Sequence, residues 1–342
     1  MKRPLVVLLL LLATACQPVA ASRTPSAKPS ASQSPAGLVV VTPSPSALPS
    51  PALDVSPSPT SLPTTPPSTA PIASGSGTPQ GGADTVAYDA DHHQLVVLEN
   101  NGATDANTWT WNGTWSEAQP SHRPSARTSA AYDPIHHDLV TWGSGSAGTW
   151  IWNGSDWASP QGSGGPGDYA SAMAYDPDLS KVVMVAAGST WEWDGSVWTD
   201  LKPTGTPNLV GVVWLAYSPT SKKLLLAKWT GTAQTLTYWS FDGTAWSQPI
   251  DTGKTNSTNY RITAYDPVRD EWVVPSDSGP TTDVYKGGSW TTTSQNLSPA
   301  RTEAGWAYDS DQQRLLVFSG LGVSGLNDIW AWNGSAWTKV SG

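Results

Sequence analysis

Apolar residues recur in this chain at a fixed distance from a short marker. The tripeptide Ala-Tyr-Asp stands at Ala87-Tyr88-Asp89, Ala131-Tyr132-Asp133, Ala174-Tyr175-Asp176, Ala264-Tyr265-Asp266 and Ala307-Tyr308-Asp309, with Ala216-Tyr217-Ser218 as a variant. Successive tyrosines lie 44, 43, 42, 48 and 43 residues apart. Seven residues after each tyrosine an apolar quartet begins, as in Leu95-Val96-Val97-Leu98, Val182-Val183-Met184-Val185 and Leu315-Leu316-Val317-Phe318. A short apolar run bounded by polar turn residues predicts a buried strand. The polar stretch between marker and quartet, often Asp-Pro, predicts a turn.

Later in each unit comes a second pattern, clearest in Trp150-Ile151-Trp152-Asn153-Gly154-Ser155-Asp156-Trp157. Asn-Gly between alternating large side chains predicts a two-residue type I′ hairpin, in which both turn residues adopt positive φ. That turn sets Trp150 opposite Trp157, and likewise Trp191 opposite Trp198, Trp239 opposite Trp246 and Trp330 opposite Trp337. Two copies differ. Asp283 takes the place opposite Trp290, and Trp115 follows Trp111 one residue early, which calls for a bulge or another turn. Each unit therefore reads as strand a ending in Ala-Tyr, a turn, strand b, a variable loop, and strands c and d as the Trp hairpin. Six such units of about 43 residues predict an all-β, six-bladed β-propeller over residues 83–342. The small Ala suits strand a near a crowded axis, and the Tyr is expected to fill the space between blades. The first unit opens with strand a and the last ends with strand d, so blade 1 is expected to close on blade 6 without a swapped strand.

The order of strands, the strand-d Trp and the approaches Pro124-Ser125-Ala126-Arg127 and Pro299-Ala300-Arg301 resemble kelch repeats and the central domain of galactose oxidases. The Gly-Gly that follows strand b in kelch repeats is missing; Gly143-Ser144, Ala186-Ala187 and Ser319-Gly320 stand there. The resemblance implies a fold more than an activity. A galactose-oxidase copper site would need a cysteine cross-linked to a tyrosine, and the repeats hold no cysteine.

The first 82 residues follow none of this period. Met1-Lys2-Arg3, the apolar run Leu5 to Leu12 and Ala13-Thr14-Ala15-Cys16 have the form of a bacterial secretory signal. The run is too short to stay in a bilayer as a span. Its end resembles a lipobox. Residues 1–16 are thus expected to be a lipoprotein-type signal with Cys16 lipidated, anchoring the chain on the extracytoplasmic face of the cell membrane; the alternative is secretion after Ala15. Residues 17–82 are Ser, Thr, Pro and Ala with hardly a charge, and are expected to form a disordered, polyproline-leaning spacer.

Charge narrows the partners. A net charge of −9 with 13% charged residues argues against nucleic acid and favours a neutral or sugar-like ligand. Twenty Trp against two Phe give a chain with no disulfide in its repeats enough apolar surface for a stable core.

Three arginines, Arg127, Arg261 and Arg301, precede strand a near the expected channel mouth. They could clamp a carboxylate, or hold the d–a loops through backbone carbonyls. Trp142, Trp229 and Trp306 lie outside the hairpin pattern and are either sugar-stacking platforms or blade filling. The doublets His92-His93 and His136-His137 share one turn of adjacent units, but other copies carry Leu179-Ser180, Ser221-Lys222, Arg269-Asp270 and Gln312-Gln313. That is the pattern of an exposed polar turn, so no metal site is expected, and no cofactor. The marker Asp reads as an Asx-turn starter. Variable b–c and d–a loops on a constant scaffold mark the face expected to bind. The reading is a non-enzymatic binding module for a glycan or protein. The alternative is a glycosidase or sialidase-like hydrolase built on the arginine cluster, although the Ser-x-Asp-x-Gly-x-Thr-Trp boxes of sialidases are absent in full form.

Overall fold

The computed structural model describes residues 77–79, 83–99, 105–125, 128–143, 148–167, 170–186, 188–207, 213–255, 262–302, 304–320 and 326–342. Cys16, the leader and residues 17–76 lie outside them. The described residues form six four-stranded antiparallel sheets, each made of four strands consecutive in sequence. The blades run over Ala83–Ala118, Thr128–Ala158, Ala170–Asp200, Trp214–Thr255, Ala264–Thr293 and Gly305–Ser341. This is a six-bladed β-propeller, and among the described residues no strand is exchanged between blades.

The apolar quartets explain the ring. A continuous rather than alternating apolar run marks a strand buried on both faces. In blade 1, Leu95 and Val97 pack with Leu316, Phe318 and Ile329 of blade 6, while Val96 and Leu98 pack with Leu139, Trp152 and Trp157 of blade 2. The same arrangement repeats around the axis, so each of the six hydrophobic clusters lies between two neighbouring blades. Blade 1 closes on blade 6 through such a cluster, with Trp115 against Phe318 at 5.0 Å between ring centres.

The a–b turns share one construction. The marker Asp accepts backbone N–H bonds two and three residues on, as Asp133 does from Ile135 and His136 at 3.0 and 3.3 Å. The residue five places after each Tyr is left-handed in all six blades: His93, His137, Ser180, Lys222, Asp270 and Gln313 have φ of 52°, 61°, 55°, 53°, 55° and 50°.

The c–d hairpins correct the expected register. Trp152, not Trp150, pairs with Trp157, and Trp193 with Trp198, Phe241 with Trp246 and Trp332 with Trp337. The loop is four residues long. Asn153 Oδ1 accepts from the N–H groups of Ser155 and Asp156, and the Asn153 N–H donates to the Asp156 carbonyl. Only Gly154 has positive φ (91°). Asp194 and Asp242 make the same bonds, so the position requires a side-chain acceptor rather than a residue tolerant of positive φ. Blade 1 closes with three residues, Trp111 facing Trp115. Blade 5 alone has the two-residue turn, with Gly287 and Gly288 both at positive φ, and sets Tyr285 rather than Asp283 opposite Trp290.

The strand-d Trp also ties its blade to the one before. Trp157 Nε1 donates to Thr108 Oγ1 at 2.9 Å, Trp198 to Thr149 at 3.0 Å, Trp246 to Thr190 at 3.0 Å and Trp337 to Thr282 at 2.9 Å. The acceptor is the Thr of the preceding blade's strand c that stands three residues before the residue paired with that blade's own strand-d Trp. Blade 4 carries Tyr238 there, and Trp290 donates to the Thr252 carbonyl instead. Blade 6 carries Ile329, and the buried Trp115 Nε1 has no partner.

These latches are separable from ring packing. Trp157→Phe removes a buried hydrogen bond as well as ring volume, whereas Trp115→Phe removes only volume. Trp157→Phe is expected to cost about 1–2 kcal/mol more. Urea-unfolding curves of the two variants check this; equal losses would mean that the Trp–Thr bonds contribute nothing net.

Candidate functional site

The six a strands enclose a central cavity of about 550 Å³. The small side chains Ala87, Ala131, Ala174, Ala216 and Ala307 form much of its wall, and all six marker tyrosines border it. Trp214 and Trp306 add two indoles. Trp306 is thus the one candidate among the three tryptophans that the structure brings to a cavity wall; for Trp214 the sequence carries no signal beyond its place on strand a.

The tyrosines sit at the a–b end, and three of them reach across blade boundaries. Tyr88 donates to Asp311 Oδ2 of blade 6 at 2.6 Å, and Tyr217 to Asp178 Oδ2 of blade 3 at 2.7 Å. Both acceptors stand three places after the preceding blade's Tyr. Asp91 occupies that position in blade 1 and bonds Tyr132. Where the position is Ile135, Thr220 or Val268 the carboxylate is missing. Tyr265 then turns to Asp270 of its own turn, and the buried Tyr308 hydroxyl has no partner. Burial and the neighbouring carboxylates push these phenols up, Tyr217 to about 12 and Tyr88 and Tyr132 further. The channel end therefore presents neutral phenols.

The His doublets fall into the same network. His93 Nδ1 lies 2.6 Å from Asp311 Oδ2 and His137 Nδ1 lies 2.7 Å from Asp91 Oδ2, so each of these acids meets a Tyr and a His of the next blade. His92 and His136 contact the marker acids Asp89 and Asp133 of their own turns. Among the described residues no group of three or more His, Cys, Asp or Glu is placed to hold a metal.

The remaining candidates lie elsewhere. Arg127 and Arg261 are outside the described residues. Arg301 is fully buried, paired with Asp328, and donates to the carbonyls of Pro299 and Ser319 at 3.1 and 3.2 Å. Its guanidinium is committed to holding the b–c and d–a loops of blade 6 together, the loop-holding role. Trp142 is buried edge-on against Trp198, with ring centres 6.1 Å apart, and Trp229 is buried with Nε1 donating to Thr263 Oγ1 at 3.2 Å. Both are blade filling.

The fold and its channel place the chain in the class of six-bladed propellers. No protein-family model and no curated protein matches it. Solved structures do. The SapL1 lectin, solved with α-methyl fucoside, aligns with a TM-score of 0.51 at 15% identity, over 78% of this chain and 96% of that one. A gluconolactonase from Xanthomonas campestris gives 0.50 at 17%, over 71% and 85%. An auxiliary nutrient binding protein from Bacteroides ovatus gives 0.50 at 12%, over 70% and 67%. At these identities the likeness establishes the fold alone.

Arg301 now carries a stability prediction. Burial raises the Asp328 carboxyl, but hydrogen bonds from Arg301 and Trp330 outweigh this and hold it below its ordinary value. A carboxyl depressed in the folded state contributes stability above its unfolded pKa, lost as pH falls below about 4. Arg301→Met leaves the buried Asp328 carboxylate with only the Trp330 indole N–H at 2.8 Å and the Lys339 ammonium at 3.9 Å, and is expected to cost about 3 kcal/mol at neutral pH. Adding Asp328→Asn restores part of it and flattens stability against pH below about 4. Chemical denaturation at pH 7 and pH 3 measures both; an unchanged midpoint in Arg301→Met would remove the pair from the structural account.

Proposed function

We propose that this chain is a kelch-like propeller displayed at the cell surface, anchored through a lipidated Cys16 and spaced by residues 17–82, which binds a glycan or protein without transforming it. The observation that carries this reading is the central cavity of about 550 Å³, a size typical of small-molecule sites, walled by every blade and furnished with Trp306 and Trp214. Indole faces suit the C–H faces of sugar rings, and a neutral wall suits a neutral ligand. The mouth on the side of the b–c and d–a loops is the proposed point of entry. A lectin and a nutrient-binding protein among the structural neighbours share the architecture and support binding as its use.

The hydrolase alternative draws on the gluconolactonase neighbour and on the arginine cluster. Arg301 is held by Asp328 and offers no guanidinium to an acidic sugar. The channel tyrosines are pushed up rather than down in pKa, the wrong direction for nucleophiles.

Two measurements test this. The full chain in detergent, applied to a glycan array and to surface proteins in a pull-down, is expected to retain a ligand that Trp306→Ala releases at least tenfold more readily. Retention unaffected by Trp306→Ala, or no ligand in either format, would overturn channel binding. Cys16→Ser is expected to abolish fatty-acid incorporation and move the protein from the membrane fraction to the medium; a membrane-bound, unlabelled wild type would overturn the anchor.

A further inference from the structure

Four of the six blade interfaces are tightly filled at their a–b end, and the way they are filled exposes the two exceptions. The residue four places after the marker Tyr leans onto the glycine of the next blade's c–d turn. A Cβ on Gly154 would lie 2.2 Å from the His92 ring, and one on Gly195 the same distance from His136. A Cβ on Gly334 would meet Arg269 at 2.1 Å, and one on Gly243 would meet Leu179 at 3.2 Å. Each large side chain thereby plugs the gap between two blades. Between blades 4 and 5 the residue is Ser221, the facing turn is Gly287-Gly288, and nothing lies within 4 Å of either glycine's Cβ position. Here a cleft of about 420 Å³ opens.

The missing plug is not the only change at this interface. Blade 4 has Ser218 in place of the marker Asp and Tyr238 in place of the strand-c Thr that accepts from the next blade's Trp. Tyr238, Tyr265, Tyr285 and Trp272 line the cleft, with Tyr238 and Tyr285 6.1 Å apart between ring centres. Asp270 stands at its edge and accepts from Ser218 Oγ across the interface at 2.9 Å and from the Tyr265 hydroxyl. Lys223 and Ser240 border it from blade 4. The other uncovered turn glycine, Gly113 at the blade 6–1 interface, borders only about 210 Å³, flanked by the Arg314–Asp309 ion pair.

From this geometry we infer that the cleft between blades 4 and 5, which shares only Tyr265 with the channel wall, is a second ligand site for a neutral polyhydroxylated ring such as a pyranose. Four aromatic side chains border the cavity, three of them buried and Tyr238 half-buried, and an aromatic wall of this kind offers stacking to an apolar ring face. Serine and tyrosine hydroxyls and a carboxylate converge on the same space as donors and acceptors for ring hydroxyls. One carboxylate and one ammonium cancel, so the site selects neither cations nor anions. Its volume falls within the roughly 300–1,000 Å³ of small-molecule sites. A free monosaccharide and the terminal residue of a longer glycan share this chemistry.

The test restores the plug. The full chain is titrated by calorimetry and saturation-transfer NMR with methyl pyranosides of glucose, galactose, mannose, fucose and N-acetylglucosamine, and with oligosaccharides ending in whichever binds. At least one methyl glycoside is expected to saturate the protein. Ser221→His, which places in blade 4 the side chain that blades 1 and 2 already carry, should weaken it tenfold or more. Asp270→Asn, which keeps an acceptor and tolerates positive φ, should do the same should Ser221→His fail to fold. A response to the methyl glycoside but not the oligosaccharide marks a free-sugar site, and the reverse ordering of affinity a glycan end; either supports the cleft. No saturable binding across the panel overturns the inference. So does binding that both folded variants retain, including binding lost only in Trp306→Ala, which would leave the channel as the sugar site.

Discussion

Every strand b of this chain is apolar on both faces, and a sheet with two apolar faces cannot rest until both are covered. No blade can do this for itself. Each needs a neighbour on either side, and the only arrangement that leaves no open face is a ring. The six hydrophobic clusters each straddle a boundary and none lies within a single blade, so the energetic unit of this protein is the interface. This is also why Trp dominates its aromatic content. A Trp side chain buries about 150–250 Å², worth roughly 4–6 kcal/mol gross at about 25 cal/mol/Å², and in four blades the strand-d indole N–H still reaches a Thr in the preceding sheet.

The period of the chain was legible because strand a and strand b are constrained from both sides. Crowding at the axis holds Ala, the blade boundary holds Tyr, and the turn between them needs an acceptor; substitution at any of these is costly, and the spacing from Tyr to quartet does not drift. The hairpin register was not legible in the same way. Asn153-Gly154 is the signature of one turn and the component of another. Its resolution lay in the copies that break the signature: Asp194-Gly195 and Asp242-Gly243 keep an Oδ1 acceptor, which points to an Asx-type loop. Among the six c–d hairpins the only two-residue turn belongs to Gly287-Gly288, the copy whose sequence is least like the rest.

The candidate residues divide for a related reason. Arg301 stands out by its place before strand a, and Trp142 and Trp229 by departing from the hairpin pattern, yet a large side chain on a buried strand or under a loop is met by a local partner: Asp328, Trp198 and Thr263. Trp306 departs on strand a, where the wall is a cavity, and stays in contact with open space. Sequence identifies the exceptional side chain but not the direction in which it points. The acids of the a–b turns show the converse. Asp91, Asp178 and Asp311 look like ordinary turn residues, and their meaning lies in the blade that follows each of them.

A repeat protein also carries its own controls, since each interface can be set against five others made from the same plan. At the boundary of blades 4 and 5 four positions change together: the marker acid becomes Ser218, the plug becomes Ser221, the latch Thr becomes Tyr238, and the turn becomes Gly287-Gly288. A lone loss of packing would be expected to collapse, because neighbouring side chains move into space that costs them contacts. Here the changes instead exchange one filled contact for aromatic walls and hydroxyls bordering open volume. Local rules relaxed in concert, with polar groups turned toward the gap, are what a site held open against the fold's own tendency to close looks like.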